Sequence, residues 1–346
     1  MRKFVILLCL CGFGLSGYGA AWAATEDRAV AKFLLFQPSA RSAGLGEAYI
    51  AIADDANATY YNPAGLADDT GGNLSTTFYK PIPSLANDIF SSFGAYTHSF
   101  EGLGNLGFSI IYASEGKQEA RSEQNIALGS FSSYGLALGL SYGTHVTKTM
   151  SVGVTVKFIY EDLAGGVQVG QEQGKGQGTS FGGDLGFMWK PTDRFTLAWA
   201  LRNVGPNITF IDADQADPLP QSFTFGFANK IYRGGNSTVL ITTDIYKPLA
   251  DEGFSSFITG WSDSPAEEEF KDIDYKAGLE WQYDLTEGSS FALRTGYFYD
   301  YDGNRKTPTF GLGLKYNWAT FDLSYFANRG DSPLKNVFRF TGGFSI

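Results

Sequence analysis

The sequence predicts an all-β protein, a transmembrane antiparallel β-barrel of about fourteen strands, and three observations carry that reading. Apolar residues alternate with small ones over segments long enough to cross an outer membrane. Aromatic residues gather near the ends of those segments, and the connections alternate between short and long. The 346 residues suffice for one large all-β domain or two ordinary ones, so length alone does not set the domain count. Composition is more selective: 29 Phe, 19 Tyr and 43 Gly against 18% charged residues suit short strands joined by tight turns.

Residues 1–23 read as a secretory signal peptide. Arg2 and Lys3 precede an apolar run from Phe4, and Ala21-Trp22-Ala23 offers a small-residue cleavage site. Cys9 and Cys11 lie inside the apolar run without the spacing of a lipid-attachment signal. Cleavage would remove both cysteines, so the mature chain is expected to use neither disulfides nor thiolate ligands. It would also remove two of the 26 cations and make the formal net charge of −10 more negative still. That acidic balance argues against a nucleic-acid partner. Beyond the signal, no apolar run approaches the eighteen or so residues of a spanning helix, which leaves strands as the crossing element.

Residues 24–70 do not alternate and are expected to form a unit apart from the barrel at 71–346. Their most distinctive stretch is ANATYYNPAGLA, residues 56–67. Pro63 suits the first position of a helical turn, where its missing N–H costs nothing; Asn62 can cap that turn, and Gly65 lets the backbone leave it. A local turn accounts for Asn62, Pro63, Ala64 and Gly65 taken alone. A barrel of about fourteen strands, however, encloses more space than wall side chains fill, so something must occupy the lumen or it is an open pore.

Strands are expected to start near Leu74, Ile89, Asn105, Ser132, Met150, Gly178, Arg194, Gln221, Asn236, Ile273, Ser289, Thr307, Ala319 and Lys335. The fourth sets the class: Tyr134, Leu136, Leu138, Leu140 and Tyr142 face one way, and Gly135, Ala137, Gly139 and Ser141 the other. Eight steps of about 3.3 Å, tilted near 40°, give roughly 20 Å of height, close to the apolar band of an outer membrane. The pattern returns at 152–160, 195–202, 275–283 and 310–318. Short turns are expected at 146–149, 191–193, 232–235 and 284–288, and long loops at 115–131, 161–177, 205–220 and 246–272. A soluble sandwich has no reason to sort its loops by side. The last segment places Phe338, Phe340, Phe344 and Ile346 on one face; it resembles the C-terminal assembly signal of outer-membrane proteins, which usually ends in Phe or Trp.

KFLLFQPSARSAGLGEAYIAIADDANATYYNPAGLA, residues 32–67, closely resembles the N-terminal signature of the PorV/PorQ family, a branch of the FadL-like outer-membrane barrels, the long-chain fatty-acid transporter superfamily. LRNVGPN, residues 201–207, resembles a second recurring segment of that family. The resemblance implies a barrel whose N-terminal segment folds into the lumen as a plug, with the family's Asn-Pro-Ala motif on Asn62, Pro63 and Ala64. It implies residence in the outer membrane of a Gram-negative-type bacterium, contact with outer-membrane lipid, and insertion by the barrel-assembly machinery. In FadL-type members hydrophobic ligands leave sideways through a gap in the wall.

Two functions follow as expectations. The first is a non-enzymatic conduit for hydrophobic small molecules such as fatty acids. The second is a PorV-like role in type IX secretion, in which exported protein cargo is received and passed to the surface attachment machinery. An outer-membrane enzyme would be a third class, and the residues give it little material. Gly139-Leu140-Ser141-Tyr142-Gly143 matches a hydrolase pattern but lies within a continuous strand instead of a strand-turn-helix corner. His98 and His145 sit near strand ends, isolated, and give no zinc site. Asp212, Asp214 and Asp217 lack the Gly and Glu of a calcium loop, Glu267-Glu268-Glu269 reads as exposed surface, and Gly174-Lys175-Gly176 lacks phosphate-loop spacing. No cofactor is expected. The inward face carries Lys157, Arg202, Lys276, Arg294, Lys315 and Arg339 alongside Asp184, Glu280 and Asp322. Charges there are costly unless hydrated or paired. Lys157, Asp184, Arg202 and Arg294 are therefore candidates either for pairing the plug to the wall or for holding a ligand carboxylate.

Overall fold

The computed structural model describes residues 29–84, 86–121, 125–165, 176–210, 216–249, 273–300, 305–327 and 336–346. The expected signal peptide, Asp212, Asp214, Lys175 and the acidic run 267–269 lie outside them. Fourteen antiparallel strands close into a barrel in which each strand pairs with its chain neighbours and β1 pairs with β14. They are β1 (Gly72–Tyr79), β2 (Ile89–Phe100), β3 (Gly104–Arg121), β4 (Ala127–His145), β5 (Met150–Asp162), β6 (Gln177–Trp189) and β7 (Phe195–Val204). The second half comprises β8 (Ser222–Gly234), β9 (Ser237–Pro248), β10 (Asp274–Thr286), β11 (Ser289–Asp300), β12 (Arg305–Tyr316), β13 (Ala319–Phe326) and β14 (Val337–Ser345).

The alternation read from the sequence is the alternation of the wall. On β5 the residues Ser151, Gly153, Thr155, Lys157, Ile159 and Glu161 are buried, whereas Val156 is 57% exposed on the outer face. Leu140, Phe181, Leu314 and Trp318 are exposed to a similar degree, as expected of side chains that would meet lipid rather than water. Stacked aromatics band the same face: Phe78, Phe90, Tyr112, Tyr134 and Tyr160 follow one another with ring centroids 5.5–5.9 Å apart across β1 to β5. Trp281 and Phe291, and Trp318 and Phe344, pack in the same way toward the opposite rim. Such belts sit at the two lipid–water boundaries of membrane barrels.

Short turns and both ends of the wall share one rim: 101–103, 146–149, 190–194, 235–236, 287–288 and 317–318, with Gly72 bonded to Ile346. By the usual orientation of such barrels this is the periplasmic rim. One expected loop is strand instead. Most of 115–131 continues the β3–β4 ladder, with Gly116 opposite Ser133 and Ala120 opposite Gly129 past a bulge at residue 115. Polar residues on both faces suggested a loop; they arise because this hairpin stands above the lipid, where Lys117, Glu119 and Arg121 meet water.

Residues 29–70 lie against the buried face of the wall. Four short helical turns shape them: Lys32–Leu35, Ala40–Gly44, Ala58–Tyr61 and Pro63–Asp68. Phe33, Leu34, Leu45, Tyr49, Tyr61 and Leu66 are almost wholly buried there and share one core with Ala137, Ile159, Met188 and Leu219.

Candidate functional site

Two corners of the N-terminal segment press against glycines on opposite parts of the wall. At the first, Asn62 is extended (φ −158°) and caps the turn that begins at Pro63, its Oδ1 accepting from Ala64 N at 3.1 Å. Its Nδ2 donates to Ile50 O and across to Phe187 O of β6, at 3.1 and 3.2 Å. A Cβ on Gly143 of β4 would stand 2.5 Å from Pro63 O; on Gly153 of β5 it would collide with Pro63, and on Gly186 of β6 with Asn62 Oδ1. Gly65 differs from the sequence reading. The turn runs on through Asp68, so Gly65 does not end it; it is needed because a Cβ there would strike Ala53 O.

The second corner is Ala43-Gly44-Leu45-Gly46. A Cβ on Gly278 of β10 would lie 2.6 Å from Leu45 O, one on Gly296 of β11 would overlap Gly46 N, and Gly44 and Gly311 of β12 face each other at similar range. Thr309 Oγ1 accepts from Gly46 N at 2.9 Å and donates to Gly44 O at 3.2 Å. Small inward residues thus let the two backbones touch, which explains why this wall has glycine where a solvent-filled pore would tolerate larger polar side chains.

Between the corners, ions are paired, all of them buried or half-buried except Asp54. Arg41 reaches Asp54 at 2.7 Å and Glu280 at 3.1 Å; Arg294 joins Glu280 to Asp322, each at 2.6 Å. Glu47 accepts from Arg339 at 3.0 Å and from Gln37 at 2.8 Å, with Lys276 at 3.9 Å. Burial alone would raise the Glu47 carboxyl; Arg339, then Lys276 and Arg305, outweigh it and hold it below the usual carboxylate range. Lys157 binds Asp184 at 2.8 Å and Asn203 Oδ1 at 2.5 Å, and Asp184 also accepts from Asn203 N. Arg202 stacks 4.1 Å over the Tyr60 ring and donates to Leu34 O at 3.4 Å. Lys315, although inward, lies at the short-turn rim and is exposed.

Of the sequence candidates, Lys157, Asp184 and Arg202 therefore meet on β5, β6 and β7, while Arg294 belongs to a separate network on β10 to β13. The sequence reading missed Glu161 and Asp244. Glu161 accepts from Ala31 N at 3.1 Å, and Asp244 from Tyr49 N and Ile50 N at 2.6 and 3.1 Å. Their even spacing with inward neighbours on β5 and β9 was the available signal. Ser141, within β4, shares a hydrogen bond of 2.8 Å with Thr155 Oγ1 of β5. His98 lies outward between Tyr96 and Phe100, and His145 stands 3.5 Å from Asp68. No group of metal-ligating side chains occurs among the described residues.

A seam lies between β6 and β7. The β6–β7 ladder stops at Gly183–Val204 after a register shift at Asp184, so residues 177–182 pair with β5 alone. Behind them the connection from β7 folds back inside the barrel. Ser180 donates to Pro206 O at 2.8 Å, and a Cβ on Gly178 would stand 2.8 Å from Ile208 and 2.9 Å from Phe210. Ile208 and Leu219 are fully buried, Leu219 in one cluster with Phe33, Leu34 and Ile159, and Val30 N donates to Pro218 O at 3.1 Å. An unpaired strand edge in the outer half of the wall is thus backed by apolar side chains, with the Lys157–Asp184–Asn203 cluster at its foot.

Comparison with known proteins adds family and fold. A family model described as type IX secretion system protein PorV matches residues 23–251. No curated protein matches the chain. Among solved structures, the Pseudomonas putida toluene transporter TodX superposes with a TM-score of 0.52 at 14% identity, covering 87% of this chain and 94% of its own. The Ralstonia pickettii toluene transporter TbuX gives 0.51 at 14% identity over 87% and 95%. A Pseudomonas aeruginosa FadL homologue gives 0.50 at 13% identity over 88% and 98%. At these identities the likeness is one of fold.

Proposed function

The chain belongs to the PorV family, an outer-membrane β-barrel, and from that premise we propose that it is a non-enzymatic conduit for hydrophobic small molecules whose N-terminal residues 24–70 act as a plug. The observation that carries the reading is the β6–β7 seam. An apolar solute gains nothing from a water-filled pore, but it can pass from an apolar interior to the hydrocarbon of the bilayer through a gap between strands. Here the edge at 177–182 faces outward, and Ile208, Phe210 and Leu219 line its inner side. The described state is closed, so passage requires 205–210 to move off β6. Similarity in fold to the toluene transporters TodX and TbuX and to a FadL homologue supports the class of solute, and fatty acids are the specific candidates.

Locking the seam tests this. The only cysteines are Cys9 and Cys11, in the expected signal, so a Gly178→Cys/Ile208→Cys pair can be oxidised on a clean background. Uptake of labelled toluene or oleate by cells carrying the pair should fall under oxidation and return on reduction. Undiminished uptake with the disulfide formed would remove the lateral route.

A second reading rests on the family model itself, which points to type IX secretion and to exported protein as the ligand. The raised β3–β4 hairpin, with Lys117, Glu119 and Arg121 exposed, would then be a protein-docking surface. Mass spectrometry of the protein extracted from its own membrane, recording bound lipids and polypeptides together, separates the two. Apolar small molecules without polypeptides favour the conduit; exported proteins sharing a C-terminal domain favour secretion.

A further inference from the structure

The segment LRNVGPN, residues 201–207, is where β7 parts from β6, and Asn203 stands at that point. Leu201 pairs with Leu185 and Val204 with Gly183, so Arg202 and Asn203 together face the single residue Asp184. Asn203 has no exposed surface and a left-handed backbone (φ 59°), a conformation that asparagine tolerates better than most residues and glycine better still. What glycine would lack is the side chain. Its Oδ1 accepts from Lys157 Nζ at 2.5 Å, and its Nδ2 donates to Pro220 O at 2.9 Å. The backbone N donates to Asp184 Oδ1 at 2.8 Å. One residue thus gathers β5, β6 and the stretch that leads into β8.

Beyond Asn203 the chain turns inward as two limbs, 204–210 and 216–220. Ile208 and Asp217 exchange both backbone hydrogen bonds, at 2.9 and 3.0 Å, and Asn207 Nδ2 donates to Ala216 O at 3.0 Å, so the limbs are tied to each other. On the inner side they rest on the N-terminal segment, where Val30 N meets Pro218 O at 3.1 Å. Toward the free edge of β6 they offer a neutral hydrogen bond, Ser180 Oγ to Pro206 O, and the packing of Gly205 against Phe181 O. Bonds to charged groups are stronger than neutral ones, so the base at Asn203 is held to the wall more firmly than the limbs are to the edge they cover. Hinges are built from short element-terminal stretches of this kind.

We propose that Asn203 is the positioning residue of the seam. Its side chain fixes the angle at which the chain leaves β7 and keeps the paired limbs behind 177–182, and so sets how often that edge is uncovered. The left-handed backbone alone does not account for an asparagine here, since glycine would supply it without the two side-chain bonds. The inference goes beyond the conduit reading in giving LRNVGPN a task, and it rests on that reading for one point, that uncovering the edge speeds uptake.

The test uses Ile208→Cys in the full-length protein, held in a non-ionic detergent, as the reporter of opening. Residue 208 is wholly buried against Gly178 of β6, so a thiol there reacts with N-ethylmaleimide when the limbs move off the edge. Asn203→Gly keeps the backbone conformation, loses both side-chain bonds, and should speed labelling by about fivefold or more. Asn203→Asp keeps an acceptor for Lys157, loses the donor to Pro220, and should fall between that variant and the parent. Gly311→Ala, which crowds Gly44 at the second corner, should leave the rate unchanged. Toluene uptake by cells carrying Asn203→Gly without the reporter cysteine should rise. Asn203→Gly labelled at the parent rate would overturn the role of the side chain. Gly311→Ala labelled as fast as Asn203→Gly would reduce the effect to general loosening and overturn it as well. Faster labelling without faster uptake would leave Asn203 in its role and count against the lateral route. Uptake blocked by the seam disulfide, with labelling indifferent to Asn203, would leave the conduit standing and remove only this inference.

Discussion

Asn62 and Pro63 show how much a single residue type decides at the contact between segment and wall. Gly186 meets Asn62 Oδ1, whereas Gly183 on the same strand has nothing nearer than 3.5 Å to a hypothetical Cβ. Gly186→Ala should therefore destabilise the folded protein by about 1–3 kcal/mol as an overpacking change, and Gly183→Ala by much less. Urea unfolding midpoints followed by tryptophan fluorescence compare the two, and equal effects would show that the corner does not press on the wall. Asp55 gives a pH signature. Burial first, then the neighbouring charge of Asp54, raise its carboxyl to about 6 from an ordinary 3.8. Since the folded value lies above the unfolded one, its contribution to stability is full below about 4 and is lost as pH rises through 6. The stability of the wild type relative to Asp55→Asn should accordingly improve between pH 7.5 and pH 5. A difference that does not change with pH would show that Asp55 titrates as it does in the unfolded chain.

At the scale of elements, the tie between segment and strands is ionic as well as steric. Glu280 is held by Arg41 from the segment and Arg294 from β11, so Glu280→Ala breaks the link between them and leaves each guanidinium with one carboxylate, Asp54 and Asp322. A loss of about 1.5–3 kcal/mol is expected. Faster tryptic cleavage after Arg41 should accompany it, and unchanged protection would place the network outside the segment's anchorage. The strands themselves were legible because side-chain period 2 survives any tertiary context: Tyr134 to Tyr142 could be assigned to faces with no partner known. Inward charges such as Lys157 and Arg294 were legible for the same reason. Their partners were not, because Asp184 on β6 and Glu280 on β10 are matched to them by the register of the neighbouring strands, which the period-2 pattern leaves unset. The NPAG turn and its Asn62 cap could be read locally, but Gly65 was misjudged, since its constraint comes from Ala53, which no local pattern reveals. The β3–β4 hairpin was cut short because polarity at Lys117 and Glu119 reports water, and water lies above the bilayer as well as in loops.

For the molecule as a whole, the outer face is the apolar one. Leu140, Phe181, Leu314 and Phe340 are each more than half exposed, an amount of open hydrocarbon that soluble monomers avoid. The protein should stay dispersed in detergent and aggregate when the detergent is diluted away, as sedimentation would record; a soluble monomer in plain buffer would refute the membrane assignment. The interior is polar where it is wet and close-packed where the N-terminal segment lies, so stability and closure share the same contacts. One consequence follows from the bond between Gly72 and Ile346. The cylinder is zipped shut where β14 meets β1, yet its contents precede every strand in the chain. Residues 29–69 must already be gathered within the curling sheet when the two edges meet, because the finished tube offers no side through which so bulky a piece could be threaded. Biogenesis is therefore a wrapping problem: the cargo of the cylinder serves as the mandrel on which it is rolled.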